Sequence, residues 1–107
     1  MKITDLINAL KKFNAVDQEI PIAQMLLLLE VAQAGESGTS LTEIASKHGM
    51  GQANASRNLA QLGKSNRKHV AGYQLIDAIE NPMDRRFKIL TLTNNGKLFM
   101  KDLLRED

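Results

Sequence analysis

Gln52, Asn54, Ser56, Arg57, Gln61 and Lys64 lie in one stretch, QANASRNLAQLGK, and each carries a hydrogen-bonding or cationic side chain. No acidic residue occurs from Gly49 to Ile76. That combination suits a polyanion. A carboxylate would repel phosphate, whereas Arg can donate two hydrogen bonds to guanine and Asn or Gln can pair with adenine. An ordinary solvent-facing helix would more often show Glu and Lys four residues apart. The second cluster is NPMDRRFKIL, where Asp84, Arg85 and Arg86 follow a turn-forming Asn81-Pro82. Between the two, SNRKHVAG reads as a basic loop carrying Arg67, Lys68 and His69.

The formal net charge is only +2, from 14 Lys and Arg against 12 Asp and Glu. Its distribution is more informative. Over residues 47 to 88, Lys47, Arg57, Lys64, Arg67, Lys68, Arg85, Arg86 and Lys88 face only Asp77, Glu80 and Asp84. The middle of the chain is therefore basic while the termini are neutral or acidic, an electrostatic footprint suited to nucleic acid.

Other chemistries find little purchase. With no Cys, disulfides, thiolate zinc sites and thiol nucleophiles are excluded. His48 and His69 lack acids at ligand or triad spacing, and no glycine-rich phosphate loop is present. An enzyme is not expected, and neither a catalytic residue, a metal site nor a cofactor is assigned. The N-terminus, MKITDLINALKKF, interrupts its apolar positions with Asp5 and Asn8, unlike a signal peptide. The most apolar run, MLLLLEVA, falls well short of the roughly 20 residues of a membrane span. The expectation is a cytoplasmic protein with no membrane partner.

At 107 residues the chain fits one domain with one modest core, spanning residues 1 to 107. One Tyr, three Phe and no Trp leave Leu, Ile, Ala and Met to build that core. Ile3, Leu6, Ile7, Leu10 and Phe13 recur at helical spacing and predict a first helix ending near Phe13, with NAVDQE as a connector. Pro21 suits the first turn of a second, nearly all-apolar helix, and Gly35 suits its C-terminal cap. Ser40 three residues ahead of Glu43 predicts a capping box opening a third helix that Gly49 ends. A fourth helix follows, with Ala55, Leu59 and Leu62 on its inner face. YQLIDAIE and FKILTLT read as two strands of a hairpin, and Leu98, Phe99, Leu103 and Leu104 place a last helix.

Two successive helices with a tight turn, followed by a hairpin with a cationic tip, make a winged helix-turn-helix the most economical fold, in the order α-α-α-α-β-β-α. Its fourth helix, about residues 52 to 63, would enter the major groove of duplex DNA, with the wing, residues 81 to 88, at the minor groove.

The same residues carry a family resemblance. LTEIASKHGMGQANASRNLAQL resembles the helix-turn-helix of MarR-type transcriptional regulators, and NPMDRRFKILTLTNNGK resembles their wing and the start of the next helix. The wing match is the more specific, because Asp84, Arg85, Arg86, the strand, Leu92-Thr93 and Gly96 keep the family's order and spacing. The resemblance covers about residues 20 to 100. It implies a transcriptional regulator binding operator DNA as a homodimer. Gln52, Asn54, Ser56 and Arg57 then fall where such proteins read or grip DNA, with Asp84 bracing a wing arginine.

This sequence also departs from the family. Gly51 replaces a capping Ser or Thr, Ala53 replaces a hydroxyl residue, and the loop from Gly63 to Gly72 is longer and more basic. The terminal helices, which in the family intertwine and frame a pocket for small aromatic effectors, are short here. Dimerisation is assigned to Ile3, Leu6, Ile7 and Leu10 with Phe99, Leu103 and Leu104. No feature of the sequence supports a small-molecule effector. The competing reading is a winged-helix module for protein–protein contact in a replication or transcription complex, since fold alone does not choose between these uses.

Overall fold

The computed structural model describes residues 1–64 and 71–105. Helices α1 (Ile3–Val16), α2 (Ile22–Ala34), α3 (Leu41–His48) and α4 (Gln52–Leu62) precede strands β1 (Ile76–Glu80) and β2 (Lys88–Leu92), and α5 (Asn94–Leu103) follows. This is the element order expected from the sequence.

Helix α2 is the centre of the core. Leu27, Leu28 and Val31 are fully buried and pack with Phe13, Ile44, Leu62, Leu75, Ile76, Leu90 and Met100. Each full burial of such a side chain is worth about 1.5–3 kcal/mol, so a helix apolar on most sides is the element around which the others gather. Pro21 stands as its N-cap and Gly35 as its C-cap.

Two local expectations need correction. The first helix does not stop near Phe13 but runs to Val16, because Val16 still packs against the core and the chain turns only at Asp17. At Asp17 the carboxylate accepts the Glu19 N–H at 2.9 Å, a side-chain turn that lets the backbone leave the helix. The capping box of α3 is half formed. Ser40 Oγ accepts from the Glu43 N–H at 3.2 Å, but the Glu43 carboxylate accepts from the Thr39 hydroxyl at 3.0 Å instead of reaching the Ser40 N–H.

Thr39 is held in place by a partner the sequence does not reveal. Its N–H and C=O exchange bonds with Leu90 at 3.2 and 2.7 Å, so the segment ahead of α3 bridges to β2. The hairpin itself is antiparallel, with Ile76 opposite Leu92, Ala78 opposite Leu90 and Glu80 opposite Lys88.

The return from the wing is locked at Thr93. Its N–H donates to Leu75 O at 3.1 Å, its hydroxyl donates to Gln74 O at 2.6 Å, and the same oxygen caps α5 by accepting the Gly96 N–H at 2.9 Å. Gly96 is required by close approach: a Cβ there would sit 2.1 Å from Leu75 O. The LTLTNNGK pattern is thus a joint that fixes the wing's base against the first turn of α5.

Candidate nucleic-acid interface

Helix α4 buries Ala55 and Leu62 and half-buries Leu59, which sets the opposite side outward. Gln52, Ala53, Asn54, Arg57 and Lys64 are exposed, and Ser56, Asn58, Ala60 and Gln61 are half-buried. Arg57 makes no ion pair or hydrogen bond among the described residues, so its guanidinium is available to a ligand. Gly51 is the N-cap and offers no side chain, which leaves the first N–H groups of α4 without a capping oxygen.

The predicted residues do not all behave alike. Gln61 is half-buried, and its side chain hydrogen-bonds the Tyr73 hydroxyl rather than standing clear of the surface. Arg67 and Lys68, with His69, lie outside the described residues.

The chain re-enters beside the end of α4. Tyr73 N–H donates to Gln61 O at 2.8 Å, Gln74 N–H to Gly63 O at 3.0 Å and Leu75 N–H to Leu62 O at 2.8 Å. Gly72 permits this approach, since a Cβ would lie 2.3 Å from Gly63 O. The Tyr73 hydroxyl then donates to Asp17 Oδ2, tying the end of α4 to the turn between α1 and α2. Burial, and after it this hydrogen bond, push the Tyr73 phenol up to about 12. The Asp17 carboxyl is lowered, chiefly by the Tyr73 bond and then by the Glu19 N–H.

At the end of α3, Glu30 on α2 accepts from Lys47 at 2.8 Å and lies 3.2 Å from His48 Nε2. The Lys47 hydrogen bond is the main cause that lowers the Glu30 carboxyl. Lys47, part of the basic segment in sequence, is therefore spent on holding α3 against α2, and His48 is a helix-end residue beside the same carboxylate.

The wing tip is built from two consecutive side-chain turns. Asn81 Oδ1 accepts the Met83 N–H at 2.9 Å, and Asp84 Oδ1 accepts the Arg86 N–H at 3.1 Å. The loop closes where Asn81 N–H donates to Phe87 O at 3.0 Å. Asp84 also takes the Arg86 guanidinium in a forked pair, Nε to Oδ1 at 3.0 Å and Nη2 to Oδ2 at 2.9 Å. Arg86 holds the Asp84 carboxyl below the usual carboxylate range. Arg86 further lies over the Phe87 ring, 5.6 Å from its centroid. Arg85 is held more loosely, its Nε 3.8 Å from Glu80 Oε1. Both side chains project, 87% and 82% exposed, and Arg86 is the one braced by a forked pair of hydrogen bonds.

Of the apolar residues assigned to dimerisation, Ile3, Leu6, Ile7, Leu10 and Leu104 are exposed. Phe99 and Leu103 are half-buried against the core, Phe99 with its ring 5.3 Å from that of Phe13. Leu98, which had not been assigned, is exposed beside them in sequence. Among the described residues no three His, Asp or Glu side chains converge as metal ligands would, and no helix is long and apolar enough to cross a membrane.

No protein-family model matches the sequence, and no curated protein matches it as a relative. Solved structures do match. A MepR mutant from an S. aureus clinical isolate aligns at a TM-score of 0.71 and 22% identity over 94% of this chain and 65% of that one. MarR aligns at 0.65 and 19% identity over 97% of this chain and 74% of its own. The chain has the MarR-type winged-helix fold. CouR, a transcriptional repressor bound to a 23-mer DNA duplex, has the same MarR-type architecture at 0.64 and 25% identity, over 92% of this chain and 63% of CouR. The chain spans just under two thirds of the MepR and CouR chains. In MarR-type terms α3 and α4 are the helix-turn-helix pair and β1–β2 is the wing.

Residues that sequence reasoning passed over are Gln24, Asp17 and Tyr73, while Asn58, which helical spacing puts on a flank of the outer face of α4 beside Asn54, is half-buried and bonded to Gln24. Gln24 was findable as an amide that interrupts the apolar run from Ile22 to Leu29, and Asn58 as an amide four residues after Asn54. Nothing in the sequence pairs Asp17 with Tyr73.

Proposed function

We propose that this chain is a sequence-specific, duplex-DNA-binding transcriptional regulator, with α4 in the major groove, the wing at the minor groove and a second copy completing the operator contact. The observation that carries the reading is the acid-free outer face of α4, on which Arg57 is exposed and has no partner among the described residues. A free guanidinium on an exposed helix face can reach guanine O6 and N7 in a bidentate contact. Gln52, Asn54 and Ser56 flank it as further base or phosphate contacts, and Lys64, Arg67 and Lys68 supply charge to the backbone.

The wing supports the same reading. Asp84 pre-sets the Arg86 guanidinium in one orientation while leaving other N–H donors of its fork free, and Arg85 projects into solvent. Crowded phosphates across a narrow minor groove attract such a group. The CouR–duplex complex is a precedent of the same fold, not a measurement on this chain.

Selection of bound sequences from random duplex DNA is the direct test. Enrichment of an inverted repeat is the expected outcome, because a two-fold protein dimer reads two half-sites related by the same symmetry. Absence of any enriched motif overturns the reading. It would favour the protein-contact alternative, for which exposed Ile79, Met83 and Phe87 on the wing offer the apolar surface.

A further inference from the structure

Gln24 is the one buried polar residue in the described core, 7% exposed on α2. Its Nε2 donates to Asn58 Oδ1 on α4 at 3.1 Å, while its Oε1 is buried with no hydrogen-bond partner among the described residues. Asn58 in turn passes its own Nδ2 to Asn54, reaching the main-chain oxygen at 3.0 Å and the side-chain Oδ1 at 3.2 Å. Three amides therefore form one relay, from the middle of the core to the exposed surface of α4.

The direction of this relay is fixed chemically. A main-chain carbonyl only accepts, so the Asn58 group facing Asn54 O has to be the NH2. That puts Asn58 Oδ1 toward Gln24, and Gln24 must answer with its own NH2. The same logic extends outward: Asn54 Oδ1 is turned back to Asn58, and its Nδ2 has no partner among the described residues.

We infer that Gln24 and Asn58 are positioning residues that hold the Asn54 amide with its NH2 toward the ligand, so that Asn54 reads a hydrogen-bond acceptor on a base edge in the major groove. The inference rests on the DNA-binding reading above and deepens it. Acceptors are presented by guanine O6 and N7, adenine N7 and thymine O4, whereas cytosine presents only its N4 donor. The relay thus excludes cytosine at the position facing Asn54. It also accounts for Gln24. A Leu or Met would fill the same place without burying an unpaired oxygen, which is destabilising. The amide is retained at a cost in stability, and what it contributes is the placement of Asn58.

The test is selection from random duplex DNA with the parent, Asn54→Ala, Asn54→Asp, Asn58→Ala and Gln24→Met, together with thermal melts of each. Asn54→Ala should erase preference at one base pair per half-site and so identify the position. Asn58→Ala and Gln24→Met should lower discrimination at that same pair roughly fivefold or more, leaving the rest of the motif and the salt slope unchanged. Gln24→Met should do so with an equal or higher melting temperature, which a purely structural role for Gln24 would not give. Asn54→Asp, an acceptor only, should shift the preference to cytosine. If the parent enriches a motif that Asn58→Ala leaves intact, or prefers cytosine at the position, the relay is wrong and the DNA reading stands. If the parent enriches nothing, both fall.

Discussion

The Asp84 carboxylate grips the Arg86 guanidinium with both oxygens, at 3.0 and 2.9 Å, and also accepts the Arg86 backbone N–H at 3.1 Å. Brace and turn are therefore one interaction. This yields a prediction whose sign separates two mechanisms. Coulomb attraction alone says that removing a negative charge beside phosphate raises affinity; if Asp84 serves to orient Arg86, Asp84→Ala lowers it. We expect a loss of affinity in Asp84→Ala. Arg86→Ala should weaken binding to many sequences alike and reduce the salt slope by about one unit. A salt titration of both variants on selected and random duplexes measures each effect.

Arg57 calls for the opposite pattern. It stands exposed, without a partner among the described residues, on the face of α4 that looks away from Ala55 and Leu62. A bidentate contact to guanine is worth about 1–3 kcal/mol of discrimination. Arg57→Ala should therefore lose roughly tenfold on the selected site and lose its preference at one base pair, with less effect on random DNA. Competition binding against single-base variants of the site reads this out. Equal losses on selected and random duplexes would mean that Arg57 meets only phosphate.

Periodicity made the elements legible: the spacing of Leu59 and Leu62 on α4 records a face packed on the core, whereas on α1 only Phe13 of the periodic set is buried and Ile3, Leu6 and Leu10 stay exposed. Turn chemistry was legible at the wing, where Asn81 and Asp84 each make the side-chain bond their residue types favour. What the sequence hid are pairings across long separations. Asp17 and Tyr73 are 56 residues apart, and Gln24 and Asn58 are 34 apart. No local rule links such residues, since the link exists only once α2 and α4 are packed. Glu43 shows the local limit. Its spacing from Ser40 is right for a capping box, yet the Thr39 hydroxyl competes successfully for its carboxylate.

The exposed apolar stripe on α1 predicts association. Ile3 is 80% exposed and Leu6, Ile7 and Leu10 about half, while α5 leaves Leu98 and Leu104 exposed. Apolar side chains recurring on one helix face are unfavourable in water, and a second copy can bury them by two-fold symmetry. Light scattering at micromolar concentration should give twice the 11.9 kDa chain mass. Leu6→Glu should return the single-chain mass and weaken binding to an inverted repeat more than to one half-site. A parent protein that scatters as a single chain rules the interface out.

The hydrogen bond from Tyr73 to Asp17 should make stability depend on pH at both ends of the scale. The Asp17 carboxyl is lowered in the folded chain, so the unfolded chain binds its proton more readily. Its contribution is present above about pH 4, the unfolded value, and is lost as the pH falls through the folded one. Tyr73 moves the other way, raised first by burial and then by this hydrogen bond, up to about 12 from an ordinary value of 10.0. Its contribution is complete below about pH 10 and disappears between there and about pH 12. Tyr73→Phe should therefore melt a few degrees below the parent near neutral pH, with the gap closing in acid and again in strong alkali. Circular-dichroism melts across that range decide it. The absence of any gap near neutral pH would show that the ring, and not the hydroxyl, holds the end of α4 to the turn between α1 and α2.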